Sequence, residues 1–382
     1  MDFNLSEQEL EVQKLARDFA NNEIAPVIAK FDETEEFPME IAQKMGEMGF
    51  LGIIFPEEYG GAGFTTTEYA IIIEEISKID PSVGLTVASH NGLCSNHIYS
   101  FGNDAIKKKY LPDLTSGKSL GAWGLTEAVS GSDAGGMATT AEKKDGHYII
   151  NGSKMFITQG TVGGTYVVTA KTDKTKGNKG ISAFVMEKGM NGFTNAPIKN
   201  KLGMRSSDTA ELVFDNVEVP AENLIGDEGA GFNQCMQILN GGRIAIAALS
   251  VGIAQGALDL AIKYSKERKQ FGKTLSSFQG IQFKLSDMAM EVEAARLLTM
   301  RAAKLKDEGK PFAMEASMAK YYASEAACKA TTESLQIHGG YGYMKEFMIE
   351  KLYRDVKLLT IGEGTSEVQK MIISRNLLDI YN

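Results

Sequence analysis

Cysteine is scarce in this chain: Cys94, Cys235 and Cys328 are the only three, an odd number with no CxxC pair. That usage excludes a disulfide framework, argues against a structural zinc site and suits a reducing compartment. Histidine is as thin. His90, His97, His147 and His338 stand in no metal-ligand spacing, so each reads as a structural residue and no metal is expected. Positive charge is in deficit, with 40 Lys and Arg against 49 Asp and Glu. No general basic surface is left for a phosphate backbone, so nucleic acid is not an expected partner and an anionic ligand would need a local pocket. Long apolar runs are missing too. The best tract, around Ile244 to Ala261, is interrupted by Ser250, Gln255, Gly256 and Asp259, which a lipid-spanning helix of about 20 apolar residues does not favour, so no membrane span is expected. The opening MDFNLSEQEL has no apolar h-region, and neither a secretory signal nor a transit peptide is expected from it. Two nucleotide motifs are absent as well: no G-x-G-x-x-G opens a helix after a strand, and no G-x-x-x-x-G-K-[ST] occurs. A nucleotide cofactor would have to be held by other means.

What is present is an ordinary globular composition, 43% hydrophobic and 23% charged over 382 residues, enough for two or three domains. Ser6 and Glu9 form a capping box ahead of apolar residues at helical spacing, and Thr65 with Glu68 repeat the device before YAIIIEEISKID, where Pro81 marks a stop. After Gly121 the pattern changes to short β-branched and aromatic runs. HYII and KMFIT flank the turn dipeptide Asn151-Gly152, Asp145-Gly146 lies just upstream, and TYVVTAKTD, GISAFVMEK and ELVFDNVEV follow. From Gly231 the helical period returns and lasts nearly to the end. The reading is a mainly helical α+β chain: an N-terminal helical domain over 1–120, a middle antiparallel β domain over 121–230 and a C-terminal four-helix bundle over 231–382.

Three segments bear chemistry-capable side chains. GLTEAVSGSDAGG, Gly124 to Gly136, combines Thr126, Ser130, Ser132 and Asp133 with glycines that let backbone amides approach a flat ring or a pyrophosphate, or it is simply a polar loop. In KERKQFGK, Arg268, Lys269 and Lys273 are either a solvated cationic helix end or a phosphate contact. In IGEGTSEVQ, Glu363 stands between Gly362 and Gly364. It is either a helix-start acid or a carboxylate held without a counter-ion, poised to abstract a proton, and the residues alone leave both open.

Taken in order, GLTEAVSGSDAGG, KMFIT, KERKQFGK with Gln279 behind it, QIHGGYGY and EGTSEVQ resemble the signatures of the acyl-CoA dehydrogenases, and most of all their short-chain, butyryl-CoA branch. The resemblance spans essentially the whole chain. It implies FAD between the β domain and the bundle, a homotetramer built as a dimer of dimers, and α,β-dehydrogenation of an acyl-CoA to the trans-2-enoyl-CoA with electrons passed to an electron-transfer flavoprotein. It also implies a cytoplasmic prokaryotic protein, or a mature mitochondrial matrix form. The reverse enoyl-CoA reduction and a non-catalytic acyl-CoA or flavin-binding scaffold are the alternatives, the latter disfavoured by an intact Glu363.

Carried over position by position, the resemblance makes Glu363 the base that removes the α proton while the β hydride goes to flavin N5, with Gly364 against the substrate. Trp123, Leu125, Thr126 and Ser132 would line the flavin, Ser132 reaching the CoA chain, and Phe156, Ile157 and Thr158 would pack on the ring. Arg268, Gln279, Gln336, Ile337, Gly339 and Gly340 match positions that hold the FAD of a neighbouring subunit. Thr365, Ser366 and Glu367 would close over the cofactor, and Asn240 to Arg243 match a substrate-contacting turn. In the isovaleryl and long-chain relatives the base comes from a position that aligns with Gly242, which cannot ionise. The chain departs from the family pattern at Ala128, Asn240 and Gly362. The last removes an aromatic ring beside the base, which predicts a pocket wider than a straight C4 chain needs.

Overall fold

Residues 4–380 are described by a computed structural model. The chain opens with α1 (Glu7–Phe19), nucleated by the predicted capping box: Ser6 Oγ accepts from the Glu9 N–H while the Glu9 carboxylate accepts from the Ser6 N–H. Helices α2 (Ile28–Thr34), α3 (Met39–Glu47) and α4 (Thr66–Ser77) follow, the last behind the second capping box at Thr65 and Glu68. Pro81 does not simply end α4. It is the first residue of α5 (Pro81–Ser89), where its missing N–H costs nothing, and Asp80 caps that helix by accepting from the Val83 N–H at 2.8 Å. A π-helical turn, His90–Ser95, leads to α6 (Asn96–Phe101), and α7 (Asp104–Thr115) closes the first helical part.

The β layer comprises β1 (Gly121–Gly124), β2 (Thr140–Lys144), β3 (His147–Thr158), β4 (Thr165–Lys171), β5 (Ile181–Glu187), β6 (Phe193–Pro197), β7 (Thr209–Pro220) and β8 (Leu224–Ile225). Their order in the sheet is β6-β7-β3-β2-β4-β5-β8, with β1 alongside β4. Pairing is antiparallel except where β1 and β2 each run parallel to β4. Asp145-Gly146 is the hairpin turn between β2 and β3 as expected. Asn151-Gly152 is not a turn: it lies inside the twelve-residue β3 at a register shift against β7. A Cβ on Gly152 would sit 2.6 Å from Thr139 Oγ1, and its φ is +141°. Glycine serves a bulge here through the same freedom that would have served a turn.

The second helical part begins with α8 (Gly231–Glu267), which ends in a small hairpin, β9 (Lys269–Gln270) and β10 (Lys273–Thr274). Then come α9 (Gln279–Asp307), α10 (Ala313–His338), α11 (Met348–Asp355) and α12 (Ser366–Ile380). Helices α8, α9 and α10 pack on one another and α12 packs on α10. One apolar cluster runs from Val12 through Ile73 to Ala257 and Ala327, because α4 and α5 lie against α8. Of the described residues, α8 alone is long and apolar enough to cross a membrane, and 83% of its apolar window is buried inside this fold. It is the central helix of the bundle.

Candidate active site

Where the sheet meets α8 and the segment before α12, a cavity of about 1120 Å³ opens. Single-ligand pockets measure roughly 300–1,000 Å³, so this cavity stands just beyond the large end of that range. One wall is Trp123 at the end of β1, the loop from Leu125 to Gly135, and Phe156, Ile157 and Thr158 at the end of β3. The other is the α8 face that presents Phe232, Met236, Leu239, Arg243 and Ile246. Leu85, Ser89 and Leu93 close the inner end, and Gly362, Glu363, Gly364 and Thr365 complete the enclosure.

Two local devices shape the β-side wall. Lys154, wholly buried on β3, donates to Leu125 O at 3.1 Å and to Glu127 Oε1 at 2.8 Å. Glu127 in turn accepts from the N–H groups of Ala138 and Thr139, so one ion pair ties both ends of the 125–139 loop to the sheet. Directly after that anchor, the β3–β7 register shifts again between Lys154 and Ile157, and Phe156, two residues on, takes a left-handed φ of +61°. An aromatic residue held there is strained, and it stands 65% exposed on the cavity wall. Behind the wall, Trp123 Nε1 donates to His97 Nδ1 at 3.0 Å and His97 Nε2 lies 3.1 Å from Gln234 Oε1. Because the indole can only donate, His97 must carry its proton on Nε2. Burial lowers the His97 pKa to about 4, which keeps the ring neutral.

Glu363 is the chemical centre. It sits in a left-handed turn, φ +52°, followed by Gly364 at φ +91°. A Cβ on Gly364 would come within 2.8 Å of Gln369 Nε2, so both the backbone angle and the close approach call for glycine. Glu363 Oε2 is buried and has no hydrogen-bond partner. Burial raises the carboxyl pKa to about 7, opposed in part by Lys320 and then Arg243. Neither cation is spent on the acid. Lys320 donates to Gly364 O at 2.6 Å, and Arg243 Nη1 donates to Asn240 Oδ1 at 2.5 Å. The space beside Gly242 is already taken, because a Cβ there would meet Glu363 Oε2 at 2.0 Å. A side chain at position 242 and the Glu363 carboxylate thus compete for one point, and here Glu363 occupies it. Among the described residues no group of three or more His, Cys, Asp or Glu is placed to hold a metal ion.

Comparison with known proteins agrees with that arrangement. Family models match over the whole length: acyl-CoA dehydrogenase, N-terminal domain, over residues 6–118; middle domain over 122–217; and C-terminal domain over 229–378. The chain belongs to the acyl-CoA dehydrogenase family, a family of flavin-dependent oxidoreductases. It is 49% identical to the short-chain-specific acyl-CoA dehydrogenase of Clostridium acetobutylicum, covering 98% of this chain and 99% of that one. It is 45% identical to the 3-(aryl)acrylate reductase of Clostridium sporogenes, with the same two coverages. Among solved structures it superposes on butyryl-CoA dehydrogenase from Megasphaera elsdenii with a TM-score of 0.97 at 46% identity, covering 99% of this chain and 100% of the other. A chain from a study of the electron transferring flavoprotein of Acidaminococcus fermentans gives a TM-score of 0.98 at 48% identity, with the same coverage.

Within this acyl-CoA dehydrogenase fold, the residues singled out in the sequence separate into two groups. Trp123, Leu125, Thr126, Ser132, Phe156, Ile157, Thr158, Arg243, Glu363, Gly364 and Thr365 all line the one cavity. Asn240 stands just behind it, held by Arg243, and Ser366 is buried with its hydroxyl on Glu325 at 2.7 Å, while Glu367 is exposed. Arg268, Gln279, Gln336, Ile337, Gly339 and Gly340 are not part of it. They lie at the β9–β10 end of the bundle, where the Arg268 guanidinium stacks 5.3 Å from the Tyr341 ring. Of the loop glycines expected to admit a ligand, Gly131 faces open space. Gly135 and Gly136 instead leave room for Asn178 and Asp133. Sequence reasoning missed Lys320. The available signal was a lysine in helical phase with Ala316, Ala323 and Ala327, on a face that otherwise has no reason to hold a charge.

Proposed function

We propose that this chain catalyses FAD-dependent α,β-dehydrogenation of a short or branched acyl-CoA to the trans-2-enoyl-CoA, Glu363 removing the α proton and an electron-transfer flavoprotein receiving the electrons. One observation carries the reading: a carboxylate oxygen without a partner, facing a large, mostly apolar cavity. The residues fit a flavin. Trp123, Leu125, Phe156 and Ile157 offer a flat apolar wall, and Thr126 and Thr158 offer hydroxyls at its edge. Bound FAD would supply the acceptor for the β hydride.

The chain's own residues do the rest. The apolar lining excludes water from the base, and burial raises the proton affinity of Glu363 toward what a thioester α proton requires. Arg243 and Lys320 oppose that rise enough for the acid to ionise near neutral pH. Gly362 lines the cavity, and a Cβ there would make only ordinary van der Waals contact, nearest to Leu358 O at 3.6 Å, so no large side chain fills the position next to Glu363. That supports acceptance of branched or aryl acyl groups. The similarity to a 3-(aryl)acrylate reductase favours a second reading of the same site, enoyl-CoA reduction, in which protonated Glu363 returns the proton. The outlying group around Arg268, together with Phe271 at 93% and Tyr343 at 85% exposure, supports a homotetramer in which that end of the bundle meets a second copy.

The test is anaerobic titration of the FAD-loaded protein with butyryl-, isobutyryl- and 3-phenylpropionyl-CoA, followed by flavin absorbance. Bleaching is expected with at least one thioester. Flavin that stays oxidised with every one of them overturns the reading, and butyryl-CoA alone being turned over removes the wide pocket.

A further inference from the structure

Lys320 is wholly buried on α10, and its hydrogen bond goes to a neutral carbonyl, Gly364 O, rather than to a carboxylate. The same carbonyl accepts from Gln369 Nε2 at 2.8 Å. Glu363 and Gly364 are successive left-handed residues, a conformation that a glutamate keeps only where its surroundings over-determine it. Helix α10 grips the segment a second time, through Glu325 to the Ser366 hydroxyl. The turn that aims the base is therefore fastened to α10 at two points, Gly364 and Ser366.

The charge has a role of its own. Three groups face Glu363: Lys320 from α10, Arg243 from α8 and Tyr69 from α4. Facing Lys320 are Glu363, Arg243, Glu325 and Glu367. Tyr69 is buried with its hydroxyl donated to Ala88 O, and burial holds its pKa far up, so it stays neutral. Only the two cations can favour the ionised acid, and Lys320 is the stronger. Burial lowers its own pKa to about 8, which leaves it charged at neutral pH.

We propose that Lys320 is the positioning residue of this site: it holds the left-handed Glu363–Gly364 turn, and its ammonium keeps the base ionised at neutral pH. The inference rests on Glu363 being the base. Lys320→Arg retains charge and donor, Lys320→Gln retains a donor without charge, and Lys320→Met retains neither. Two readouts on FAD-loaded protein separate these roles. One is the infrared carboxyl band of Glu363, assigned by its loss in Glu363→Gln and titrated without substrate; the other is the pH dependence of anaerobic flavin reduction.

The midpoint in both is expected to rise by about one pH unit or more in the Gln and Met variants, the usual effect of a removed opposite charge, and to stay near the wild-type value in the Arg variant. The Met variant is also expected to raise KM, as the turn loosens. Unchanged midpoints in folded Gln and Met variants overturn the proposal. If the Met variant does not fold, the Gln and Arg pair decides. If no thioester bleaches the wild type, the proposed reaction fails, while the infrared midpoint still reports on Lys320.

Discussion

Two buried ionic clusters built from the same residue types behave in opposite ways. At the seam between α5, α11 and the segment before β7, the Lys351 ammonium lies 2.6 Å from Asp80 and 2.5 Å from Asp355, and Asp355 also accepts from the Met204 N–H. Next to it, Arg354 is shared between Asp32 and Glu350, each at 2.7 Å. At the cavity, Lys320 and Arg243 lie near Glu363 and are bonded elsewhere, to a carbonyl and to an amide. In the first cluster each cation is bound to acids and the result is a joint between domains. In the second the cations act through space and the acid is left free to take a proton. Pairing, rather than burial, separates the two clusters, and an unpaired buried carboxylate is the one whose protonation can change.

That contrast can be broken in three ways. The largest effect belongs to Lys351→Met, which leaves Asp80 and Asp355 uncompensated in the interior. A loss of about 3–5 kcal/mol is expected in denaturant unfolding, with the Glu363 ionisation midpoint unmoved. A shared change in both would mean that the clusters are not independent.

Glu363→Gln should act in the other direction. A carboxyl whose pKa is raised by folding stabilises the native state below its unfolded pKa and loses that contribution as pH climbs to the folded value, here about 7. Below about pH 4.5 the variant and the wild type should therefore unfold alike. Above about pH 7 the variant should be the more stable, by at most about 3 kcal/mol, read as a gap in Tm that opens with pH at equal FAD loading. A variant less stable than wild type at pH 8 would show the acid to be structural.

The smallest effect is one of selectivity. Gly362→Tyr adds a ring where a Cβ has ordinary clearance. It should lower kcat/KM for an aryl thioester relative to butyryl-CoA by about tenfold, and an unchanged ratio would place the acyl group elsewhere in the cavity.

Much of this was legible before any coordinates. Both capping boxes, the start of α8 at Gly231 and the Asp145-Gly146 hairpin are local events, decided by residues three or fewer apart. Where partners are distant, legibility ended. Asn151-Gly152 carries turn chemistry, and the approach of Thr139, just ahead of β2, is what calls for glycine in this bulge. The short β1 and β6 exist because β4 and β7 are there to pair with them. At the site, the motifs around Thr126, Phe156 and Glu363 were visible as patterns. The burial of Glu363 Oε2 and the places where Lys320 and Arg243 send their hydrogen bonds were not visible, because they depend on residues far apart in the sequence.

Everything proposed for the reaction rests on Glu363 being a desolvated base without a bonded counter-ion. The most direct test of that role is the rate of anaerobic flavin reduction by a bleaching acyl-CoA, measured across pH for the wild type and Glu363→Gln. The wild-type rate is expected to rise with pH through a midpoint near 7, and the variant to bind FAD and thioester yet be slower by a factor of about 10³ or more. Bleaching at full rate in the variant, or a midpoint in the usual carboxylate range near 4 to 5, would contradict it.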